Sequence, residues 1–495
     1  MSAAVLRRAA TASGAGLAVL WLAAALISGF TARRYLGPLD EGILMQAAAR
    51  MADGQWPWRD FSWSYGPGQP LVVLATGESL FSWRVLRVAA DATAAVLVWA
   101  LVRDVRPRWA PWAWAAAAVT AAQPTSANPT APALAFALGA VLCATRGRPA
   151  WAGALAAAAA FWRPDVGVIG ALAAAAVFVA GERRVRAREG DESRCAGEAR
   201  GGARAAAVAL GVAAVVGLGL YAPFIVAAGP GTVWDALVVQ ATKDGAWWRL
   251  PFPAGFDGGD PKDFLAWLAP YAALIVLALA VPRRPAAGLV VLGAGAAIYY
   301  VSRADLEHAQ GLLVVAAALA AFVRPAVVGI ALLAILIVVG VGNRASALLR
   351  PPELTTYRGI AIPPEEARAL PEVVARIDHL VPPGEPIYVA PRRSDLVTFT
   401  NPLLHYLTDR PNVLRRDVLL QAKPEEQRNI VRALEQRRPR VVIRWTDPAS
   451  SKPEPNRRGE PSGSTALDDY LERAYRLESR FGYYDVLVSR SIAAA

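Results

Sequence analysis

The stretch GPLDEGILMQAAARMADGQWPWRDFSWSYGPGQP, residues 37–70, places two adjacent acids and many aromatic residues directly after the first hydrophobic segment of the chain. About 24 uncharged residues separate Arg8 from Arg33, which is enough to cross a hydrocarbon core roughly 30 Å thick. A cleaved signal peptide would have a shorter apolar region and a small-residue cleavage motif. We therefore expect an uncleaved first span with its N-terminus inside, and the quoted stretch at the outer face.

The composition of the whole chain agrees with a membrane protein. Of its 495 residues 55% are hydrophobic and only 19% are charged, which leaves too little polar surface for a soluble globular protein of this length. The net charge of +12 sits in short clusters between apolar runs, so we expect no nucleic-acid partner. Cys143 and Cys195 have no metal-binding spacing.

Ten further apolar segments, added to the first, predict about 11 transmembrane helices. They lie at 88–102, 109–123, 130–145, 149–162, 166–181, 205–228, 264–281, 285–301, 309–323 and 325–342. Those around 109–181 are shorter than the roughly 20 residues that a perpendicular helix needs, so we expect some of them to be partly buried or re-entrant.

The charges of the connecting loops predict the orientation, because short cytoplasmic loops are rich in Lys and Arg. Counted from an inside N-terminus, the inner loops are basic; they are 103–108, 145–149, 181–204, 282–285 and 323–325. The outer loops carry most of the acids of this region; they are 37–70, 123–130, 162–165, 229–263 and 302–309. The alternation predicts an odd number of spans and an outside C-terminus.

The composition changes near residue 343, which divides the chain into a membrane core, 1–342, and a soluble α/β domain, 343–495, on the outer face. Short apolar runs predict strands at 385–391, 440–445 and 483–490, and amphipathic patterns predict helices at 365–380 and 424–436. We expect 450–464 to be a mobile loop. The phrase NPLLHYLTDRPN, 401–412, could contact a substrate or pack the domain on the membrane core.

Asp40 has two compatible interpretations. It follows Pro38 and could cap a helix that runs to about Ala52 and stops at Gly54. The apolar residues that share one face of this helix are Ile43, Leu44, Ala47, Ala48 and Met51. This face suits a helix that lies flat at the membrane surface.

The second interpretation is chemical, since Asp40, Glu41, Arg59 and Asp60 stand among tryptophans and Tyr65 at one membrane face. Aromatic residues anchor proteins at membrane interfaces. They also line sugar-binding clefts, where rings pack on the C–H faces of the sugar and carboxylates accept hydrogen bonds from its hydroxyls. Composition leaves both readings open.

An acidic pair directly after the first span, followed by GQWPWRDF (54–61) and YGPGQP (65–70), resembles the polyprenyl-phosphate-sugar-dependent glycosyltransferases of the GT-C superfamily. That superfamily includes protein O-mannosyltransferases, lipid A aminoarabinose transferases and many bacterial membrane glycosyltransferases. The resemblance covers the span pattern through about residue 342 and the outer C-terminal domain that many members carry.

The resemblance implies that Asp40 is the catalytic base and that Glu41 is its pair. Asp60 is then a second acid, which either orients the acceptor or shares a divalent cation, Mg²⁺ or Mn²⁺, with Asp40, because hard cations prefer carboxylate and phosphate oxygens. No ligand set in the sequence demands such an ion. Arg59 and Tyr65 are expected to contact substrate.

Two outer turns, WRPDVG with Arg163 and Asp165 and SRADLEH with Arg303, Asp305 and His308, place cations close to lipid. Charges at such depth are costly and are usually functional or paired. One interpretation is that each arginine forms a local pair with its aspartate at the membrane boundary. The other is that both arginines bind the donor's phosphate oxygens, with His308 as a proton or hydrogen-bond partner.

These expectations combine into an inverting glycosyltransferase of a bacterial plasma membrane. The donor is a polyprenyl-phosphate-linked sugar, the acceptor is a lipid, glycan or protein at the outer face, and no nucleotide site is expected. A lipid-linked sugar flippase or transporter is the alternative, although such folds often show inverted repeats and midplane ion sites. A non-catalytic partner in envelope polysaccharide assembly is the third option.

Overall fold

A computed structural model describes residues 14–121, 127–189, 192–256, 258–281, 285–349, 351–417 and 423–491. The regular elements between residues 14 and 349 of the described chain are helices, which short loops connect. The helices are α1 (Gly14–Gly29), α2 (Asp40–Ala52), α3 (Gly68–Ala75), α4 (Leu80–Arg103), α5 (Ala110–Thr120), α6 (Thr130–Thr145), α7 (Pro149–Trp162), α8 (Pro164–Glu189), α9 (Glu192–Ala228), α10 (Pro230–Trp234), a π-helical turn (Asp235–Gln240), α11 (Ala241–Trp248), α12 (Pro261–Leu279), α13 (Ala286–Ser302), α14 (Leu306–Leu319) and α15 (Ala326–Leu349).

The predicted class, a polytopic helical membrane protein with a C-terminal α/β unit, is confirmed. Within the described residues, five helical segments are long and apolar enough to cross a membrane: Leu80–Arg103, Pro164–Gly181, Gly201–Ala228, Pro261–Leu279 and Ala326–Leu349. Other apolar helices, such as Thr130–Thr145 and Ala286–Ser302, are shorter, in keeping with the short segments of the sequence. The count of 11 crossings stays a prediction, and part of the outer loop 123–130 and of the inner loops 181–204 and 282–285 lies outside the described residues.

Small residues allow the helices of the bundle to approach closely. The core contains many fully buried alanines, and a Cβ atom added to Gly153 of α7 would lie 2.3 Å from the carbonyl oxygen of Ala209 in α9. Lipid tails are as apolar as the side chains, so burying apolar surface between helices gains nothing in a membrane. Close van der Waals packing is then a main attraction between helices. The alanine-rich composition therefore produces the tight bundle that the sequence predicts.

The C-terminal unit is built on a four-stranded sheet. Its elements are β1 (Thr355–Tyr357), β2 (Ile360–Ile362), α16 (Pro364–Leu380), β3 (Tyr388–Ala390), α17 (Leu403–Thr408), α18 (Pro424–Arg437), β4 (Val441–Trp445), α19 (Ala466–Ala474), β5 (Tyr475–Phe481) and β6 (Tyr484–Ser489). The order is β3-β4-β6-β5, with β3 parallel to β4 and the other pairs antiparallel, while β1 and β2 form a separate antiparallel hairpin. All three predicted strands and both predicted helices are present, and the strands β1, β2 and β5 and the short helices α17 and α19 are additions.

Helices cover both faces of this sheet. In β4, Val441 and Ile443 join the hydrophobic cluster that contains α16, whereas Val442 joins the cluster that contains α18 and α19. A strand that is buried on both faces is expected to be a continuous apolar run, and RVVIRW is one.

Helix α2 connects the two parts of the molecule and does not lie open at a membrane surface. Its residues Glu41, Leu44, Ala48 and Arg50 are buried, and α17 packs directly on it. The two helices approach closely at Gly42, where an added Cβ atom would clash with the backbone of Leu403, and the N–H of Leu403 donates to the carbonyl of Pro38. Apolar residues on one face of α2 therefore meet protein rather than lipid.

Replacing Gly42 by alanine is expected to destabilise the protein by about 1–3 kcal/mol, because overpacking forces the backbone apart. The added Cβ would lie 2.3 Å from the backbone nitrogen of Leu403. The thermal unfolding midpoint of the purified protein measures the effect. Gly217→Ala in α9 is the control, since no heavy atom lies within 4 Å of its added Cβ. Equal midpoints for the two variants would contradict the close approach of α2 and α17.

Candidate active site

A cavity of about 1490 Å³ lies where the bundle, the first outer loop and the C-terminal unit meet. The first outer loop contributes Asp40 and Tyr65, the two arginine turns contribute Arg163 and Arg303, and the C-terminal unit contributes Glu454. The cavity thus brings together side chains that are separated by hundreds of residues in the chain. It is large enough for a sugar and a lipid headgroup together.

Asp40 is the first residue of α2 and faces this cavity. In the described part of the chain its carboxylate makes no hydrogen bond and no ion pair, and the N-cap position of α2 is Leu39, without a side-chain cap. The cap interpretation of Asp40 is therefore not supported. Burial raises the pKa of Asp40, and the nearby charges of His308 and Arg303 partly offset this increase.

Glu41 points away from the cavity and is paired with Arg84 of α4. The guanidinium donates to both carboxylate oxygens at 2.7 Å, and both side chains are completely buried. Arg84 also donates to the carbonyls of Ala32 and Tyr35, and Glu41 accepts from the N–H of Gly37. The adjacent acids thus have different surroundings: Glu41 fixes the turn between α1 and α2, and Asp40 is presented to the cavity.

Arg59 and Asp60 form a pair of their own in the same loop. Arg59 donates to both carboxylate oxygens of Asp60, which also accepts from the N–H of Trp56 at 2.7 Å. The hydrogen bonds from Arg59 lower the pKa of Asp60. Neither residue is in the cavity wall.

Asp40 lines the cavity and Asp60 does not, and the sharing of a divalent cation by these two residues stays a prediction. Within the described ranges, no group of three or more His, Cys, Asp or Glu side chains could hold a metal ion.

Most of the N–H groups of Arg163, which lies between α7 and α8, donate hydrogen bonds to neighbouring side chains. Its Nε and Nη2 donate to Asp165 at 3.1 and 2.7 Å, and its Nη1 donates to Asn128 and Thr130 at 3.0 and 2.9 Å. Its guanidinium carbon lies 4.3 Å from the ring centroid of Tyr299. The local pair predicted from the sequence forms, and both partners also line the cavity.

Arg303, between α13 and α14, has a more open position. Its Nε donates to Asp305 at 2.7 Å, its Nη1 to the carbonyl of Trp248 at 2.7 Å, and its Nη2 to Glu454 at 3.3 Å. Asp305 caps α14 through the N–H of His308, and the same carboxylate oxygen lies 2.7 Å from His308 Nδ1. These hydrogen bonds and the charge of His308 outweigh the burial of Asp305 and lower its pKa.

The aromatic residues of the first outer loop divide into two groups. Trp58 is buried and stacks on Tyr221 of α9, with ring centroids 6.1 Å apart. Trp63 and Tyr65 line the cavity, and burial raises the pKa of Tyr65 above its usual range, so it remains a neutral phenol. One group therefore packs against protein, and the other faces the cavity.

Several cavity residues were not singled out as site residues from the sequence. Asn128 and Thr130 precede and begin α6, and Arg458 and Glu454 come from the segment predicted to be a mobile loop. Backbone hydrogen bonds join that segment to residues 395–397. Of these residues, Asn128 and Thr130 are the ones that local sequence could have suggested, because they are polar residues in a predicted outer loop.

The phrase 401–412 packs the C-terminal unit on α2 and does not line the cavity. Tyr406 donates to the carbonyl of Glu78 at 3.0 Å, and Arg410 donates to the carbonyl of Val381 at 2.9 Å. Burial and the charge of Arg50 lower the pKa of His405 to about 3, so its ring is neutral and acts as packing.

Glu41→Gln is expected to destabilise the protein by about 3–5 kcal/mol, because it leaves Arg84 buried without its counter-charge. Asp60→Asn removes a pair in which 31% of the carboxylate side chain is exposed, and its cost should be about 0–1 kcal/mol. The yield of folded protein and the thermal unfolding midpoint check both variants. A Glu41→Gln protein with the wild-type midpoint would contradict the anchoring role.

Comparison with solved structures identifies the fold of the chain. No family model matches the chain, and no curated protein matches it. The chain is similar to the crystal structure of ArnT from Cupriavidus metallidurans bound to undecaprenyl phosphate, with a TM-score of 0.55 and 16% identity over 96% of this chain and 98% of that one. The apo structure of the same ArnT gives a TM-score of 0.54 and 15% identity over the same shares. The chain therefore has the ArnT fold, over nearly its whole length.

Proposed function

We propose that this protein is an integral membrane glycosyltransferase that moves a sugar from a polyprenyl-phosphate donor to an acceptor hydroxyl. The observation that carries the proposal is the position of Asp40, a carboxylate without a partner among the described residues, on a cavity wall that also holds two arginine turns. The similar fold of an ArnT structure bound to undecaprenyl phosphate supports the class of donor. The loop charges support an outer-face reaction in a bacterial plasma membrane, with the N-terminus inside and the C-terminal unit outside.

In the proposed reaction Asp40 is the general base. It accepts the proton of the acceptor hydroxyl while the hydroxyl oxygen forms a bond to the anomeric carbon, and the bond between that carbon and the phosphate oxygen breaks. The electron pair of the broken bond leaves with the polyprenyl phosphate. A single displacement of this kind inverts the anomeric configuration. A carboxylate already engaged by arginine, such as Glu41 or Asp165, would be a poorer base.

The departing phosphate needs positive charge, and the two arginine turns supply it. Arg303 is the better direct contact, because 22% of its side chain is exposed and it lies on the cavity wall. Arg163 has 7% exposure and four of its N–H bonds are already used, so it acts chiefly through its charge. His308, held at Nδ1 by Asp305, retains Nε2 for the phosphate or the acceptor.

The remaining predicted residues have less direct roles in this proposal. Glu41 is a positioning residue, since its pair with Arg84 fixes the start of the helix that carries Asp40. Tyr65 contacts the sugar from the cavity wall. Roles for Arg59 and Asp60 in acceptor binding stay predictions.

Asp40→Asn is expected to lower the rate of transfer by about 10²–10⁴-fold, because the amide cannot accept the proton. The measurement is release of free polyprenyl phosphate from polyprenyl-phosphate sugars by the purified protein in liposomes. Asp53→Asn is the matched control, since Asp53 is an exposed aspartate just after the same helix.

Two results would contradict this proposal. An Asp40→Asn protein that folds and releases polyprenyl phosphate at the wild-type rate would remove the base from Asp40. If the wild-type protein releases nothing from any donor, yet moves lipid-linked sugar across the bilayer, the protein is a flippase rather than a transferase.

The pH profile offers an independent check of the base. Asp40 must be ionised to act, and burial raises its pKa, so kcat/KM should fall on the acid side at a higher pH than for an ordinary aspartate. The charge of His308 lowers the pKa of Asp40, so His308→Gln should move this decline to still higher pH. If the acid side of the profile is unchanged in this variant, the charge of His308 does not influence the pKa of the base.

A further inference from the structure

Glu454 brings a carboxylate from the C-terminal unit to the arginine turn between α13 and α14. Its Oε2 accepts from Arg303 Nη2 at 3.3 Å and from Asn456 Nδ2 at 2.9 Å, and its Oε1 accepts from Arg458 Nη1 at 2.5 Å. Glu454, Arg303 and Arg458 all line the cavity. The contact with Arg303 is the longest of the three, and therefore the weakest hydrogen bond.

The segment that carries Glu454 holds its shape without Arg303. The N–H of Arg458 donates to Asn456 Oδ1 at 2.8 Å, and the Arg458 side chain donates to the carbonyl of Ala449. The N–H of Gly459 donates to the carbonyl of Val397 at 2.9 Å. Release of Arg303 would therefore cost one long ion pair and leave Glu454 with two partners of its own segment.

Glu454 contacts one of the three guanidinium nitrogens of Arg303. Its Nε and Nη1 are used by Asp305 and by the carbonyl of Trp248, both at 2.7 Å. Its Nη2 is the group that Glu454 occupies. A phosphate that enters the cavity would compete with Glu454 for this nitrogen, since phosphate and carboxylate oxygens are equivalent partners for a guanidinium.

We propose that Glu454 is a resident anion of the phosphate site, which occupies Nη2 of Arg303 in the empty protein, beside the Asp305 pair, and yields this nitrogen when a lipid phosphate binds. This inference rests on the proposed function. It makes Glu454 a residue that sets affinity and selectivity, because a neutral headgroup cannot replace a carboxylate on a cation. A lipid phosphate can, and Glu454 then remains with Arg458 and Asn456.

The test is equilibrium binding of a sugar-free polyprenyl phosphate to the full-length protein in phosphatidylcholine nanodiscs. Glu454→Gln should bind this lipid about fivefold more tightly than the wild type, because no carboxylate then competes for Nη2 of Arg303. Glu460→Gln is the control: Glu460 is an exposed acid of the same segment, outside the cavity wall, and its variant should bind as the wild type does. Glu454→Asp, which keeps the charge but shortens its reach, should show a smaller gain.

A double-mutant cycle shows whether the effect passes through Arg303. Arg303→Gln should weaken binding, and adding Glu454→Gln to it should give no further gain. Unchanged or weaker binding by Glu454→Gln and Glu454→Asp, beside a normal Glu460→Gln, would overturn the inference, as would a gain that persists without Arg303. If the wild type itself fails to bind polyprenyl phosphate, the proposed function fails first.

Discussion

The buried pair between Glu41 and Arg84 is the interaction on which the candidate site depends. Two charges removed from water are tolerated only when each is fully hydrogen-bonded, and Arg84 achieves this by also binding the carbonyls that follow α1. The pair therefore joins a membrane helix, the first turn outside it and the start of α2. Asp40 is the neighbour of Glu41 in sequence, and this joint fixes the direction in which it points.

The charged side chains of the cavity differ in whether they have a direct partner of opposite charge. Arg163 and Arg303 each have an aspartate two residues later, and Asp417 is held by Arg50 at 3.0 Å. Asp40 has no such partner in the described part of the chain and experiences its cations only at longer range. A base needs this combination, because a directly paired carboxylate would give up part of its proton affinity.

The sequence predicted what is encoded locally. The apolar segments, the strand-like runs and the arginine turns all correspond to structure, since each depends on neighbouring residues. It also named Asp40, Arg163, Arg303 and His308, which the fold brings to one cavity. It could not separate the roles of Asp40 and Glu41, because that difference comes from Arg84, 43 residues away. The contributions of Glu454, Arg458 and Asp417 depend on docking of the C-terminal unit, for which local patterns carry no signal.

Docking of α17 on α2 has a consequence for the order in which the protein is made. The ribosome produces the bundle and the first outer loop long before residues 399–458, which supply one side of the cavity. A nascent chain therefore has Asp40 and its arginine turns in a cleft that lacks one wall. The cavity is enclosed only once residues 399–458 have been made and the C-terminal unit has docked on α2, so the completed wall is a late product of synthesis.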